Sequence, residues 1–372
     1  MLYKRMPIEI ESPEQMGYDT IKNNLSESSY TDARFNEIGG LETSLKDLVL
    51  CYGSHEGHEA LRSLLIKDSP VLHREDVLLT MGAAAGLFII ATSLLEPGDE
   101  LVVVRPNYAT NIETPRAIGA TLRYIDLRFE DGFALDMTAV KKAINKKTKY
   151  ISVTYPHNPT GVCLNDEEMK ALVMIARENK IHLLVDETYR DMVFGPPLPL
   201  AATYWEGVIS VSSLSKSYGL PGLRMGWIIC RDRRLMETFL AAKEQIFICG
   251  SMLDEEVSYR YLLQKDRHFP GIQKDILEKF GMVKSWMQQQ EGLEWVEPKG
   301  GVVCFPRIRK PEKVDIGKFY ELLLKKYGTY TGPGHWFEMP GHYMRIGFGW
   351  PSTQQLEQGL AAITKSLSEA AL

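Results

Sequence analysis

Short, continuous apolar runs alternate with helix-period stretches through the middle of this chain. Val77-Leu78-Leu79-Thr80, Leu101-Val102-Val103-Val104, Tyr150-Ile151-Ser152-Val153, Ile181-His182-Leu183-Leu184-Val185, Val208-Ile209-Ser210-Val211 and Gly226-Trp227-Ile228-Ile229-Cys230 are rich in β-branched residues. Continuous rather than alternating runs suit strands covered on both faces, which belong to mostly parallel sheets. Helical patterns lie between them at Ala84–Leu95, Met137–Asn145, Asp166–Asn179 and Asp232–Gln245. Strand and helix in alternation from Val77 to Cys230 predict an open α/β layer whose ligands sit at the carboxyl ends of the strands.

After about Asp254 the pattern changes to long polar helices and then to a hairpin-like segment, Leu293 to Phe305. A second, smaller α+β domain is expected there. The division predicted is a large domain over 46–275 and a small one formed by 1–45 with 276–372. The N-terminal 25 or so residues are polar without strong periodicity and are expected to be weakly structured.

Composition narrows the class. A chain of 372 residues, 44% hydrophobic and 24% charged, is globular, and a net charge of −5 without a long basic run gives no footprint for nucleic acid. The five cysteines are odd in number, widely spaced and mostly set in apolar runs, so thiols in a reducing compartment are expected rather than disulfides or a metal site. Met1 to Pro7 lacks the apolar core of a signal peptide, and no apolar run approaches the ~18 residues a membrane span needs. A cytoplasmic location away from membranes is the expectation.

Candidate chemistry lies at the strand ends. Ser213-Leu214-Ser215-Lys216-Ser217-Tyr218-Gly219 sets a lysine among hydroxyls and glycine, and Arg224 follows. Such a lysine can form an imine with an aldehyde while Ser213, Ser215 and Arg224 hold a phosphate, a pairing that pyridoxal phosphate carries in one molecule. Asp186, ending the strand thirty positions earlier, would keep the pyridine nitrogen protonated. Asn158 in Tyr155-Pro156-His157-Asn158-Pro159 can donate to the phenolate oxygen, although Asn-Pro is also a turn former without any ligand. Gly82-Ala83-Ala84-Ala85-Gly86 opens a helix, where free amides at Ala83 and Ala84 favour phosphate or simply mark a tight strand-to-helix turn.

These segments, in this order and spacing, resemble the fold type I pyridoxal-phosphate enzymes of the class I/II aminotransferase family, over about Tyr52 to Phe348. The resemblance implies a mostly parallel sheet sandwiched by helices in a large domain, plus a smaller α+β domain. It implies Lys216 as the Schiff-base lysine and proton shuttle, with Asp186 at the pyridinium and Tyr108 stacked on the ring. Asn158 and Tyr189 would bracket the phenolate oxygen. Phosphate would rest on Ser213, Ser215, Arg224 and the turn at Gly82, Ala83 and Ala84. Tyr52 would reach the phosphate of a neighbouring subunit, which implies a homodimer with shared sites. Arg345 in Tyr343-Met344-Arg345-Ile346-Gly347-Phe348 would bind the substrate α-carboxylate bidentately, with Asn158 beside it. Ser28, in Asn24-Leu25-Ser26-Glu27-Ser28-Ser29, lies where family members line the substrate site, usually with glycine.

The activity implied is transamination between an α-amino acid and a 2-oxo acid. Details around Pro156–Pro159, Leu214–Arg224, Pro298–Val302 and Arg345–Phe348 also resemble the capreomycidine synthase-like branch, which uses the scaffold for elimination and ring closure, so that alternative stays open. A regulator that senses the cofactor and binds DNA is disfavoured: 51 residues precede Tyr52, with no basic helix-turn-helix pattern.

Overall fold

The computed structural model describes residues 1–372 and contains three sheets. After a short strand β1 (Asn23–Leu25), the chain forms β2 (Val77–Met81), β3 (Glu100–Arg105), β4 (Thr121–Asp126), β5 (Thr148–Thr154), β6 (His182–Asp186), β7 (Val208–Ser213) and β8 (Met225–Cys230). These seven build the large sheet in the order β2-β8-β7-β6-β5-β3-β4. The pairs β3·β4, β3·β5, β5·β6 and β6·β7 are parallel, whereas β8 runs antiparallel to both β7 and β2. Two reversals restore the direction, so β2 ends at the same edge as β3, β5, β6 and β7, and β8 begins there.

The six strands expected from apolar runs are all present, and β4 is an addition. Its six residues alternate in exposure at the sheet's edge, so Thr121-Leu122-Arg123-Tyr124-Ile125-Asp126 carries no continuous apolar run. The four expected helices are found at Gly82–Leu94, Met137–Ala143, Asp166–Glu178 and Arg233–Phe247. Local chemistry sets their starts. Asn165 Oδ1 accepts from the Glu168 amide at 2.9 Å while Glu168 Oε2 accepts from the Asn165 amide at 2.7 Å, a reciprocal cap. The helix at Gly82 is apolar nearly all round and is buried against the sheet, with Ile89 and Ile90 fully enclosed.

Three further strands, β10 (Val303–Cys304), β12 (Thr329–Pro333) and β13 (Met344–Gly347), join β1 in the order β1-β12-β13-β10. The expected hairpin across 293–305 is not formed. Instead β9 (Leu293–Glu294) pairs with β11 (Arg307–Ile308), and β10 pairs with β13. Pro298 to Gly301 is occupied elsewhere: Lys299 and Gly300 donate to the Gly161 carbonyl and Gly301 to that of Met192, fastening this turn to the large sheet's loops.

The N-terminal segment also differs from expectation. Pro7–Ile10 and Pro13–Met16 form single helical turns, each with proline first. Glu11 ties them down, accepting from Trp336 Nε1 at 2.7 Å and pairing with His335 at 2.8 Å. Beyond β1 the chain crosses to the large sheet, where the amides of Tyr30 and Ala33 donate to the carbonyls of Lys216 and Gly219. No helix is long and apolar enough to cross a membrane.

Candidate active site

Because the strands agree in direction, their ends bring distant residues to one edge. A cavity of about 230 Å³ opens there between the two larger sheets. Ala83, Ala84, Tyr108, Asn158, Asp186, Tyr189, Ser213, Ser215, Lys216, Arg224, Arg345 and Ser28 all line it. Gly82 stands directly behind Ala83. Tyr52 is not brought to the cavity; its side chain is 80% exposed.

Lys216 follows β7 and projects into the cavity, and its Nζ has no hydrogen-bond partner in the protein. Burial pulls its amine below the usual lysine range, opposed by the negative charge of Glu27. A lysine shifted in this direction has more of the neutral amine that nucleophilic attack requires.

Asp186 ends β6 and is 5% exposed. Its Oδ1 accepts from the Thr188 amide at 3.1 Å and hydroxyl at 2.6 Å. Burial raises its carboxyl above the ordinary range, with the Thr188 and Asn111 hydrogen bonds opposing. No cation pairs with it, so its charge is left without a partner inside the protein.

The loops after β3 and β5 are held together by His157. Its ring nitrogens lie 2.8 Å from Thr160 Oγ1 and 2.9 Å from the Pro106 carbonyl, and burial pushes its pKa down to about 4. A neutral His157 fixes the loop carrying Asn158 rather than entering the chemistry. Asn158 Oδ1 accepts from Arg345 Nη1 at 3.1 Å, which leaves its Nδ2 as a donor towards the cavity. The Tyr189 hydroxyl donates to the Ser28 carbonyl at 2.9 Å.

A second group of donors clusters at the other end. The helix at Gly82 has no side-chain cap, so its first amides are free. Ser215 Oγ accepts a long bond of 3.5 Å from Arg224 Nη1, and Arg224 Nη1 also donates to the Pro221 carbonyl at 2.9 Å. Gly82 has φ +78°, and a Cβ there would stand 2.6 Å from Arg224 Nη2. Only glycine allows the turn and the guanidinium to approach in this way.

Arg345 on β13 is 3% exposed and its Nε has no partner, while Nη2 donates to the Ser26 carbonyl at 2.6 Å. Close passage of the N-terminal segment depends on Gly347, where a Cβ would fall 1.8 Å from the Glu27 carbonyl. Sequence reasoning missed several lining residues: Ile8, Glu9, Glu14, Thr154, Thr188 and Trp336. For Glu9 and Glu14 the one available signal was proline at a helix start, in Met6-Pro7 and Ser12-Pro13.

The donor set fits pyridoxal phosphate: a free amine, an unpaired buried carboxylate, and a separate cluster of amides, hydroxyls and a guanidinium suited to a dianion. Comparison with known proteins agrees. The chain is 30% identical over 358 residues to capreomycidine synthase of Streptomyces vinaceus, covering 94% of this chain and 91% of that one. It is 28% identical over 300 residues to an aspartate aminotransferase of Pyrococcus horikoshii, covering 79% and 75%. A pyridoxal-phosphate-dependent aminotransferase from Streptococcus suis superposes with a TM-score of 0.91 at 25% identity, over the whole of both chains. The family described as aminotransferase class I and II matches residues 20–363, and the chain belongs to it as a pyridoxal-phosphate-dependent aminotransferase of fold type I.

Proposed function

We propose that this enzyme transfers an amino group between an α-amino acid and a 2-oxo acid, with Lys216 as the amine that holds the cofactor's aldehyde and moves the substrate proton. The observation that carries this reading is one cavity lined both by Lys216 and by Arg345, whose buried Nε has no partner. Pyridoxal phosphate, when bound, supplies an aldehyde that captures the substrate amine and a ring that accepts the electrons released at Cα.

Each residue then has a task. Arg345 grips the α-carboxylate with Nε and Nη donors and so fixes which bond at Cα faces the ring. Lys216 would act as the base at the substrate Cα, its amine taking up the proton and handing it on. Asp186 would keep a proton at the ring nitrogen, and Asn158 Nδ2 and Tyr189 would hold the phenolate oxygen. Tyr108 covers the ring. Gly82, Ala83, Ala84, Ser213, Ser215 and Arg224 hold the phosphate and prevent the cofactor from drifting between half-reactions.

The working unit in this reading is a homodimer in which Tyr52 serves the partner's phosphate. Its exposure, with Val49 and Leu50 beside it at 70% and 80%, supports that assignment. The large part over 46–275 and the small part of 1–45 with 276–372 are taken as its two domains. The free cysteines suit a reducing, cytoplasmic setting.

A second reading has its own support in the 30% identity to capreomycidine synthase: the same groups would serve a cyclising or eliminating lyase, since both reactions begin at the Cα proton. Mixing holoenzyme with single amino acids and no oxo acid separates them. Transamination converts the cofactor to its amine form. A product formed with the cofactor unchanged, accompanied by ammonia where the eliminated enamine hydrolyses and without it where a ring closes, supports the lyase instead.

A further inference from the structure

Two charged side chains are buried outside the cavity. Lys243, on the helix Arg233–Phe247, is fully enclosed, and Glu255, on the helix Met252–Leu263, is 2% exposed. Lysine and glutamate are rarely enclosed to this degree, because each gives up the hydration of its charge. Burial pulls the Lys243 amine down to about 8 and raises the Glu255 carboxyl, and the opposite charge of each opposes the shift of the other.

Both side chains hold the backbone of one loop. Lys243 Nζ donates to the His55 carbonyl, and Glu255 Oε2 accepts from the His58 amide at 2.8 Å. Glu255 Oε1 has no partner, so that bond to His58 is the one hydrogen bond this carboxylate makes. The loop runs over 52–58 and is fixed on its other side as well, where the Glu56 carbonyl accepts from the Leu79 amide of β2 at 2.9 Å. At Gly53 a Cβ would stand 2.6 Å from Met252 Sδ. Gly53 therefore rests on the first turn of the helix that carries Glu255. Tyr52 leads into this clamped loop, yet its own side chain is exposed and stands apart from the cavity of its subunit.

We infer that Lys243 and Glu255 are positioning residues for the neighbouring subunit's phosphate site, fixing the loop so that Tyr52 is presented to the partner in one orientation. The inference rests on the dimer reading given above and adds to it two residues that touch neither cofactor nor substrate. On a loose loop, a tyrosine would lose part of its bond to phosphate in the ordering of the loop. A loop locked beforehand by buried bonds avoids that loss.

The test uses mixed dimers in which one subunit carries Lys216→Ala, so that only the other can hold the cofactor on Lys216. Differently tagged subunits are co-expressed, and the mixed dimer is isolated, stripped of cofactor and titrated with pyridoxal phosphate. The readout is the borohydride-trapped adduct on Lys216. A substitution in the Lys216→Ala subunit acts on the intact site from across the dimer, and the same substitution in the intact subunit acts from within. Tyr52→Phe from across should raise the half-saturating concentration about tenfold, the loss of a hydrogen bond to a charged group. Lys243→Met and Glu255→Ala should each raise it about threefold or more from across and less than about twofold from within. Glu255→Gln keeps an acceptor for the His58 amide and should recover most of the affinity. A general loss of folding would weaken both arrangements alike, and Lys243→Met alone carries the test where Glu255→Ala does not assemble.

Equal weakening in both arrangements, or none in either, overturns the inference, since Lys243 and Glu255 would then be structural groups of their own subunit. If the protein is monomeric, or Tyr52→Phe from across changes nothing, the dimer reading fails and the inference falls with it. If Tyr52→Phe weakens binding from across and the other substitutions do not, the dimer reading stands and this inference alone fails.

Discussion

Arg345 donates from Nη1 to Asn158 Oδ1 across 3.1 Å, joining β13 of the small sheet to the loop after β5 of the large one. One bond thereby sets the orientation of two groups. It turns the asparagine's Nδ2 towards the cavity and holds the guanidinium so that Nε stays free. In the proposed reading, the residues that would recognise substrate carboxylate and cofactor oxygen thus position each other.

Replacing Arg345 with lysine keeps the charge and removes the fork. Arg345→Lys should raise KM for amino acids about tenfold or more, as expected where bidentate recognition is lost, while the cofactor stays bound. Steady-state kinetics with an absorbance measure of bound cofactor checks both parts. An unchanged KM would remove Arg345 from substrate recognition.

Gly82→Ala addresses the phosphate end. The alanine must adopt φ near +78° and place a Cβ 2.6 Å from Arg224 Nη2. The guanidinium has to move, and a charge-assisted contact to phosphate is weakened. The dissociation constant for pyridoxal phosphate should rise about tenfold or more, measured by fluorescence titration of the cofactor-free protein. Wild-type affinity would mean that Arg224 does not serve the phosphate.

How much of this site was legible follows from where its residues lie. Asp186, Asn158, Lys216 and Ala83 each come directly after an apolar run, and parallel strands align their ends, so linear order predicted proximity. Arg224 was legible as a neighbour of Lys216, although its placement depends on β8 starting at that edge. Glu9 and Glu14 were hidden because two single helical turns have no periodicity to detect. Their position is set by distant partners such as Glu11 with Trp336 and His335. The hairpin expectation failed for a similar reason, since Lys299, Gly300 and Gly301 bond across the molecule rather than to their neighbours.

Glu187, next to Asp186 but turned away from the cavity, makes a separate stability prediction. Burial pushes its carboxyl up to about 7, opposed by Arg190, Ser210 and the Ala201 amide. The folded protein therefore binds a proton here that the unfolded chain has lost above about pH 4.5. This contribution is complete below that pH and is lost as pH rises through about 7. Glu187→Gln removes the dependence, so the variant should gain on wild type by up to about 3 kcal/mol between pH 5 and pH 8. Urea unfolding across that range measures it, and parallel profiles would contradict the shift.

The central claim is that Lys216 carries the cofactor, and reduction of the holoenzyme with borohydride followed by peptide mapping tests it most directly. The phosphopyridoxyl mass should appear on the peptide containing Lys216, and Lys216→Ala should lose both that adduct and the visible absorbance band. A reduced adduct on any other lysine, or one that persists in Lys216→Ala, would contradict the account.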